Sequence, residues 1–357
     1  MVEGKLGEDD ANTNNTWEKL RSTGKSWKEI IETLGNQFSH MALLRNLKNI
    51  AQQSEGLNKE EMELIMNKLV NGVHHGKQFP FRYYTAYQQF QQQGSQPKRH
   101  GTYKKSHTIA VNAAIVGEEK TESISPEIVQ IVVEGLEKCM KAAIQNFPQL
   151  QGRVVSLSDN SGSAWGAFQS EYGSQTVATI GNLSALITAM SATEGGEIGL
   201  FGDKLLMFTV DKNKGILEQL EEINKLGKTV GGGTENGIWL WFDNQFKTQH
   251  DNKSNNNVDH LFIYSDMQAG HGGLYGINQK EYSEFTVNGN YINVIKLIER
   301  FRQTVNPLIN IFSVQTAGYD NNIIPEVLNR SAILSGWTGN EVGYAVELIN
   351  IWNQLAA

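Results

Sequence analysis

Arg153-Val154-Val155-Ser156-Leu157-Ser158-Asp159-Asn160-Ser161-Gly162-Ser163 divides this chain into two halves that differ in kind. Its first six residues form a short apolar run that empties into a turn-forming Asp-Asn-Ser-Gly-Ser. That pattern reads as a buried strand leaving its sheet. Downstream the same pattern recurs with helices between. A helix is expected over 175–192, then strands near 198–201 and 204–208, then a helix over 216–226. Another helix follows Gly231-Gly232-Gly233-Thr234, and residues 260–264 form a strand ending in Ser265-Asp266. A helix over 291–305, a strand over 308–314 and a closing helix over 341–353 complete the series. Strands alternating with helices imply a parallel sheet covered on both faces, so residues 151–357 read as a doubly wound α/β domain.

Upstream of this stretch the periodicity is helical. Residues 1–15, rich in Asn, Gly and acids, read as a flexible leader. Over 16–150 apolar residues return at three- and four-residue steps. One stripe runs Met41, Leu43, Leu44, Leu47 and Ile50, and another Met62, Ile65, Met66, Leu69 and Val73, with Gly72 and Gly76 as stops. Pro80 opens an aromatic helix to Phe90. Ser125 and Pro126 have the residue types of an N-cap and a first helical position. Short paired helices without strands suggest a partial α-helical-repeat layer.

Hydrophobic residues make up 39% of the 357 residues and charged residues 19%, a globular composition. With one cysteine, Cys139, there is no disulfide framework and no zinc site built on Cys pairs. No apolar run approaches the ~20 residues of a membrane helix, and the polar start lacks a signal-peptide core. No membrane association and a reducing cytoplasm are therefore expected. The net charge of -7 is unevenly spread: residues 1–152 carry 18 Lys+Arg against 17 Asp+Glu, the remainder 13 against 21. No acid occurs between Glu63 and Glu118, a stretch holding Lys68, Lys77, Arg82, Lys98, Arg99, Lys104 and Lys105.

Open parallel sheets bind ligands where loops leave the carboxyl ends of their strands. Three such loops carry oxygen ligands: Asp159, Ser161 and Ser163 at alternate positions, Thr234 after three glycines, and Asp266 at a strand end. Each piece alone is commonplace, as a turn, a supple loop or a strand-end acid. Together they make two carboxylates and three hydroxyls, a hard-oxygen set suited to Mg²⁺ or another divalent cation.

Asp159, Ser161, Ser163, Thr234 and Asp266 resemble the metal-ion-dependent adhesion site (MIDAS) of a von Willebrand factor A domain. The segment Met41-Ala42-Leu43-Leu44-Arg45-Asn46-Leu47, the run Phe79-Pro80-Phe81 and the long helix before the first strand resemble the C-terminal part of the TROVE module. The chain therefore resembles the Ro ribonucleoprotein family, in which TROVE helices precede an A-type domain. The resemblance implies RNA as partner: a small non-coding Y RNA, or a structured RNA offering a single-stranded end. It also implies a role in RNA processing and quality control, with an exonuclease as a possible associate. Compared with the family pattern, the first part of the helical module is expected to be missing. A ring would then need a second copy of the chain, or another subunit, to close it. Two local departures are Ala164-Trp165-Gly166 after the first metal loop and a Gly-rich stretch, 270–276, after Asp266.

The acid-free stretch is the expected RNA contact, with Arg45, Lys77, Arg82, Lys98, Arg99, Lys104 and Lys105 pairing phosphates. Tyr83, Tyr84, Tyr87 and Tyr103 are candidates to stack on unpaired bases. Two bland readings stand beside these. The aromatics of this stretch also fit a helix core, and Arg45 also fits an internal salt bridge. His271 could reach a ligand at the metal, or lie exposed in its loop.

Enzyme signatures are absent: no GxSxG elbow, P-loop lysine or HExxH. A non-catalytic protein is expected. The leading reading is an RNA-binding protein whose metal site engages an acidic partner residue or a phosphate. Its rivals are a protein-interaction module using the metal site without RNA, and a metal-dependent nuclease.

Overall fold

The computed structural model describes residues 16–52, 58–91, 124–166, 175–233, 235–250, 258–266, 283–287, 291–317, 324, 328–335 and 340–356. Two compact units divide at 143/144. This lies upstream of the expected 150/151 boundary, because Leu150 already forms a β-bridge with Ala192 of the second unit.

The first unit is helical: α1 (Trp17–Ser22), α2 (Trp27–Leu34), α3 (His40–Gln52), α4 (Lys59–Asn71), α5 (Val73–Gly76), α6 (Pro80–Gln91) and α7 (Pro126–Ile144). Both apolar stripes lie on the helices where the spacing put them, and Leu43, Leu47, Ile50, Met62 and Leu69 are buried. Capping boxes start α2 (Ser26 with Glu29) and α4 (Asn58 with Glu61), each satisfying two otherwise orphaned amides. The Ser125 hydroxyl accepts from the Ile128 amide at 3.3 Å, so Ser125-Pro126 opens α7 as its residue types imply.

Gly72 and Gly76 do more than end a helix. A Cβ at either would stand 2.7 Å or 2.6 Å from the His40 ring, which nests between them. From there His40 Nε2 meets the Tyr83 hydroxyl at 2.7 Å, tying α3 to α6. Burial lowers the His40 pKa, so its neutral form is the packed one. Replacing Tyr83 with Phe removes the partner of a half-buried ring nitrogen, and the expected cost is about 1–2 kcal/mol in urea unfolding of the full chain. A loss under about 0.3 kcal/mol would show that the pair is incidental.

The second unit holds β1 (Val154–Asp159), α8 (Gly162–Gly166), α9 (Val177–Met190), β2 (Gly196–Phe201), β3 (Leu205–Thr209), α10 (Ile216–Gly227), α11 (Glu235–His250), β4 (His260–Ser265), β5 (Thr286–Val287), β6 (Tyr291–Ile292), α12 (Val294–Thr304), β7 (Asn310–Gln315), β8 (Ser331–Ser335) and α13 (Glu341–Ala356). The large sheet has the order β3-β2-β1-β4-β7-β8. Its central strands are buried along their whole length. Trp239, Trp241 and Phe242 of α11 pack with Phe201, Leu297 and Phe301, whereas α9 is buried on nearly every side.

Four expectations are corrected. The sheet is mixed, not wholly parallel: β3 runs antiparallel to β2, because the short connection through Gly202-Asp203-Lys204 can make only a hairpin. The helix expected over 291–305 begins at Val294. Tyr291 and Ile292 pair with β5 instead, and Asn293 caps the helix through the Lys296 amide. The Asp-Asn-Ser-Gly-Ser turn does not stay a loop, since Gly162 starts the short helix α8. The edge strand β8 has no counterpart among the expected elements; its flanks carry no repeating apolar pattern. The leader 1–15 and the Gly-rich stretch 270–276 lie outside the described residues.

Candidate metal centre and cationic helical face

β1 and β4 are neighbours, yet the chain leaves β1 toward β2 on one side and later returns through β4 on the other. Strand order reverses between them, and such a switch point opens a crevice at the carboxyl ends. Asp159 ends β1, and Ser265-Asp266 ends β4, so both carboxylates meet at that crevice. Both are buried, at 2% and 1% exposure.

The Asp159 carboxylate is held from two sides. Its Oδ1 accepts from the Ser161 amide at 2.9 Å and its Oδ2 from the Ser265 hydroxyl at 2.7 Å. The Ser161 and Ser163 hydroxyls lie 3.1 Å apart, brought together by the turn into α8. Burial above all, and the Asp266 carboxylate next, push the Asp159 pKa up to about 6, against the hydrogen bonds from Ser161 and Ser265. Two buried carboxylates with two hydroxyls form an all-oxygen donor set whose surplus negative charge a small hard cation would neutralise. The residues present therefore fit Mg²⁺. No cluster of three or more His, Cys, Asp or Glu occurs among the described residues. The site draws on hydroxyls instead.

Thr234 lies outside the described residues, but the loop leading to it is fixed. The Gly162 amide donates to the Gly232 carbonyl at 3.0 Å, joining the first metal loop to the glycine loop. From the far side, Asp203 accepts the Gly232 and Gly233 amides at 3.0 Å and 2.9 Å. Gly231 has φ 94°, and a Cβ there would come 2.2 Å from the Asp203 carboxylate, which explains the glycines as a matter of space. Sequence reasoning missed Asp203 and Ser265; neither stands in a motif, and each acts across the fold. Trp165, in α8, is half-buried and carries Lys228 Nζ 5.1 Å above its ring. His271 lies outside the described residues.

Below the metal loop lies a buried amide network. Asn160 and Asn182 bond reciprocally at 2.9 Å and 3.0 Å, Ser158 Oγ donates to Asn182 Oδ1 at 2.7 Å, and Asn182 Nδ2 also reaches Asn224 Oδ1 at 2.8 Å. Gly227 makes room for it, because a Cβ there would sit 2.0 Å from Asn160 Oδ1.

On the helical unit Arg45, Lys77 and Arg82 are all exposed. None pairs with a carboxylate among the described residues, so the internal salt bridge considered for Arg45 does not form there. Lys98, Arg99, Lys104, Lys105 and Tyr103 lie outside the described residues. Of the two readings of Tyr83 and Tyr84 it is the helix core that holds, not the stacking role: both are buried, at 0% and 5% exposure. Tyr87 stays half-buried. Cys139 is core, and burial raises its thiol to about 12, far from a reactive thiolate. No helix among the described residues is long and apolar enough to cross a membrane.

The fold and site define a class, a helical module followed by an A-type domain with an oxygen-rich crevice at its switch point. Residues 11–152 match the family model of the TROVE domain. Among solved structures, the chain is similar to the Ro (RSR) protein of Deinococcus radiodurans, at 12% identity and a TM-score of 0.54. The match covers 91% of this chain and 55% of that one, so the chain spans about half that protein's length. No curated protein matches the sequence. The chain therefore holds a TROVE domain over residues 11–152, and its fold, a helical region followed by a von Willebrand factor A-like domain, is similar to that of the Ro protein.

Proposed function

We propose that this protein binds RNA through its helical unit and holds Mg²⁺, or a similar divalent cation, in the A-type domain. The observation that carries the reading is the TROVE match over 11–152, within which Arg45, Lys77 and Arg82 stand exposed. Exposed cations that meet no carboxylate among the described residues suit phosphates, whose neutralisation releases counterions and makes binding salt-dependent. The favoured ligand is a small structured RNA, Y RNA-like or bearing a single-stranded end, and the role is RNA processing or quality control. In this reading the protein is not itself an enzyme and works in the cytoplasm, with an exonuclease or acidic protein as a second partner. Asp159, Ser161, Ser163 and Asp266 would hold the cation, with Thr234 completing the set. The bound cation would supply an electrophilic position for a partner's carboxylate or a phosphate.

A second reading has an observation of its own. With Tyr83 and Tyr84 buried, the stretch offers fewer base-stacking surfaces than its sequence promised, which favours a protein-interaction module that uses the metal without RNA. Fluorescence anisotropy with a structured RNA carrying a single-stranded 3′ tail, at low and physiological salt, with Mg²⁺ and with EDTA, separates the two. Binding that weakens with salt and survives EDTA places RNA on the helical face. Reversing Arg45, Lys77 and Arg82 to Glu together should then weaken it at least about tenfold. The same change should flatten the salt slope by about 0.7–0.9 for each phosphate left without its cation. RNA binding absent at every salt concentration, beside EDTA-sensitive capture of an acidic protein, would leave the second reading standing. Metal-dependent RNA cleavage lost with Asp159→Ala would instead reveal a nuclease.

A further inference from the structure

Asn182 is the feature of the second unit that neither the sheet nor the donor set accounts for. It sits within α9, among Val177, Ile180, Leu183, Leu186 and Ile187, with 0% exposure. An amide buried in such a helix costs stability unless its bonds are made. Here they are made, and three of the four reach Ser158 or Asn160, at the metal loop, while the fourth reaches Asn224 of α10. Its Oδ1 accepts from Ser158 Oγ and Asn160 Nδ2, and its Nδ2 donates to Asn160 Oδ1 and Asn224 Oδ1. Ser158 and Asn160 flank Asp159 on either side, so one side chain grips both neighbours of a buried carboxylate. Gly181, one residue earlier, lets α9 approach: a Cβ there would lie 3.0 Å from Ser158 Oγ.

The backbone around Asp159 has anchors of its own, since the β1 ladder runs up to Asp159 and the Gly162 amide holds the Gly232 carbonyl at 3.0 Å, but none of them fixes the Asn160 side chain. The Asn160 amide donates to the Phe201 carbonyl at 2.8 Å, and the next amide, Ser161, turns back to Asp159 itself. With Asn160 released, the carboxylate and the Ser161 hydroxyl could turn out of register. We infer that Asn182 is a positioning residue for the loop 158–163, and that it thereby sets the affinity of the crevice for a divalent cation. The affinity half of this rests on the metal reading above; the positioning half does not.

The test compares Asn182→Ala with Thr188→Val in the full chain. Thr188 lies on the same helix, and its hydroxyl meets the Tyr264 hydroxyl at 2.6 Å, so its loss strikes α9 without touching the network. Amide hydrogen exchange over 158–166 and Mg²⁺ titration calorimetry are both read. Asn182→Ala should accelerate exchange at Asn160 to Gly162 and weaken Mg²⁺ binding about tenfold or more. Thr188→Val should lower the melting temperature and leave both readouts unchanged. Should Asn182→Ala not fold, Asn224→Ala removes a single bond of the network and should move both readouts the same way, by less. Equal exchange over 158–166 in the Asn182 and Thr188 variants overturns the inference. Exchange altered only by Asn182→Ala, in a protein that takes up no Mg²⁺ even as wild type, supports the positioning role and overturns the metal reading alone.

Discussion

In EDTA at pH 7.5, Asp159→Asn should melt about 5–10 °C above the wild type, and it should no longer respond to Mg²⁺. The carboxylate's pKa is raised, chiefly by burial and then by Asp266. A raised acid binds its proton more tightly in the fold than in the unfolded chain. The metal-free fold is therefore most stable below the ordinary value near 3.9. It loses that stability as pH climbs to about 6, where the ionised form takes over. A shift of about two units corresponds to roughly 3 kcal/mol, which for a unit of this size is several degrees of melting temperature. Asparagine keeps the shape and removes the charge. It also weakens the donor set, so Mg²⁺ should raise the melting temperature of the wild type alone, and more strongly at pH 7.5 than at pH 5. Scanning calorimetry of both proteins at these two pH values, with EDTA and with Mg²⁺, checks this. An EDTA-treated Asp159→Asn less stable than the wild type at pH 7.5 would mean that the carboxylate's hydrogen bonds outweigh its burial.

Gly227→Ala should cost about 1–3 kcal/mol and damage cation binding from a distance. The new methyl would stand 2.0 Å from Asn160 Oδ1 and 3.4 Å from the Trp165 ring. The end of a side chain could usually swing aside, but Asn160 is 1% exposed and bonded to Asn182 and to the Ser158 carbonyl. Clearing the space means either overpacking, about 1–3 kcal/mol, or leaving a buried amide unmatched, at a similar cost. Gly166 is the control, because a Cβ there meets nothing within 4 Å and alanine should be close to neutral. Urea unfolding of the two variants gives the comparison. A Gly227→Ala loss under about 0.5 kcal/mol would show that α10 shifts freely against the metal loop.

What the sequence revealed follows from the range of the forces involved. Stripes such as Met62, Ile65, Met66 and Leu69 declare a helix locally, and the run Val154–Asp159 declares a buried strand, because periodicity and burial act along the chain. The direction of β3 is also local, yet it lay in the length of the connection after β2 rather than in any apolar pattern. Partnerships across the fold leave fainter traces. Asp203 reaches backbone amides, which carry no residue signature. Ser265 reads as an ordinary strand-end hydroxyl until Asp159 is seen beside it. Asn182 did leave a trace, a lone amide in an apolar helix that must find partners somewhere. Tyr83 shows the opposite failure: an aromatic near cations invites a stacking role, but its hydroxyl was already taken by His40.

The switch point between β1 and β4 has a consequence for how the protein is made. Asp159 and Ser265, which touch in the finished fold, are 106 residues apart in the chain. On a ribosome adding roughly 5–20 residues per second, β1 would wait about 5–20 s for the strand that closes its second edge. During that interval β1 can pair with β2, but its other row of backbone amides and carbonyls stands open in the middle of the future sheet. The crevice is thus assembled late, when β4 docks and completes the pairing on both sides of β1. Nascent-chain crowding or slow elongation over 160–265 would fall on this open edge, so the step that builds the binding site is also the one most exposed to misassembly.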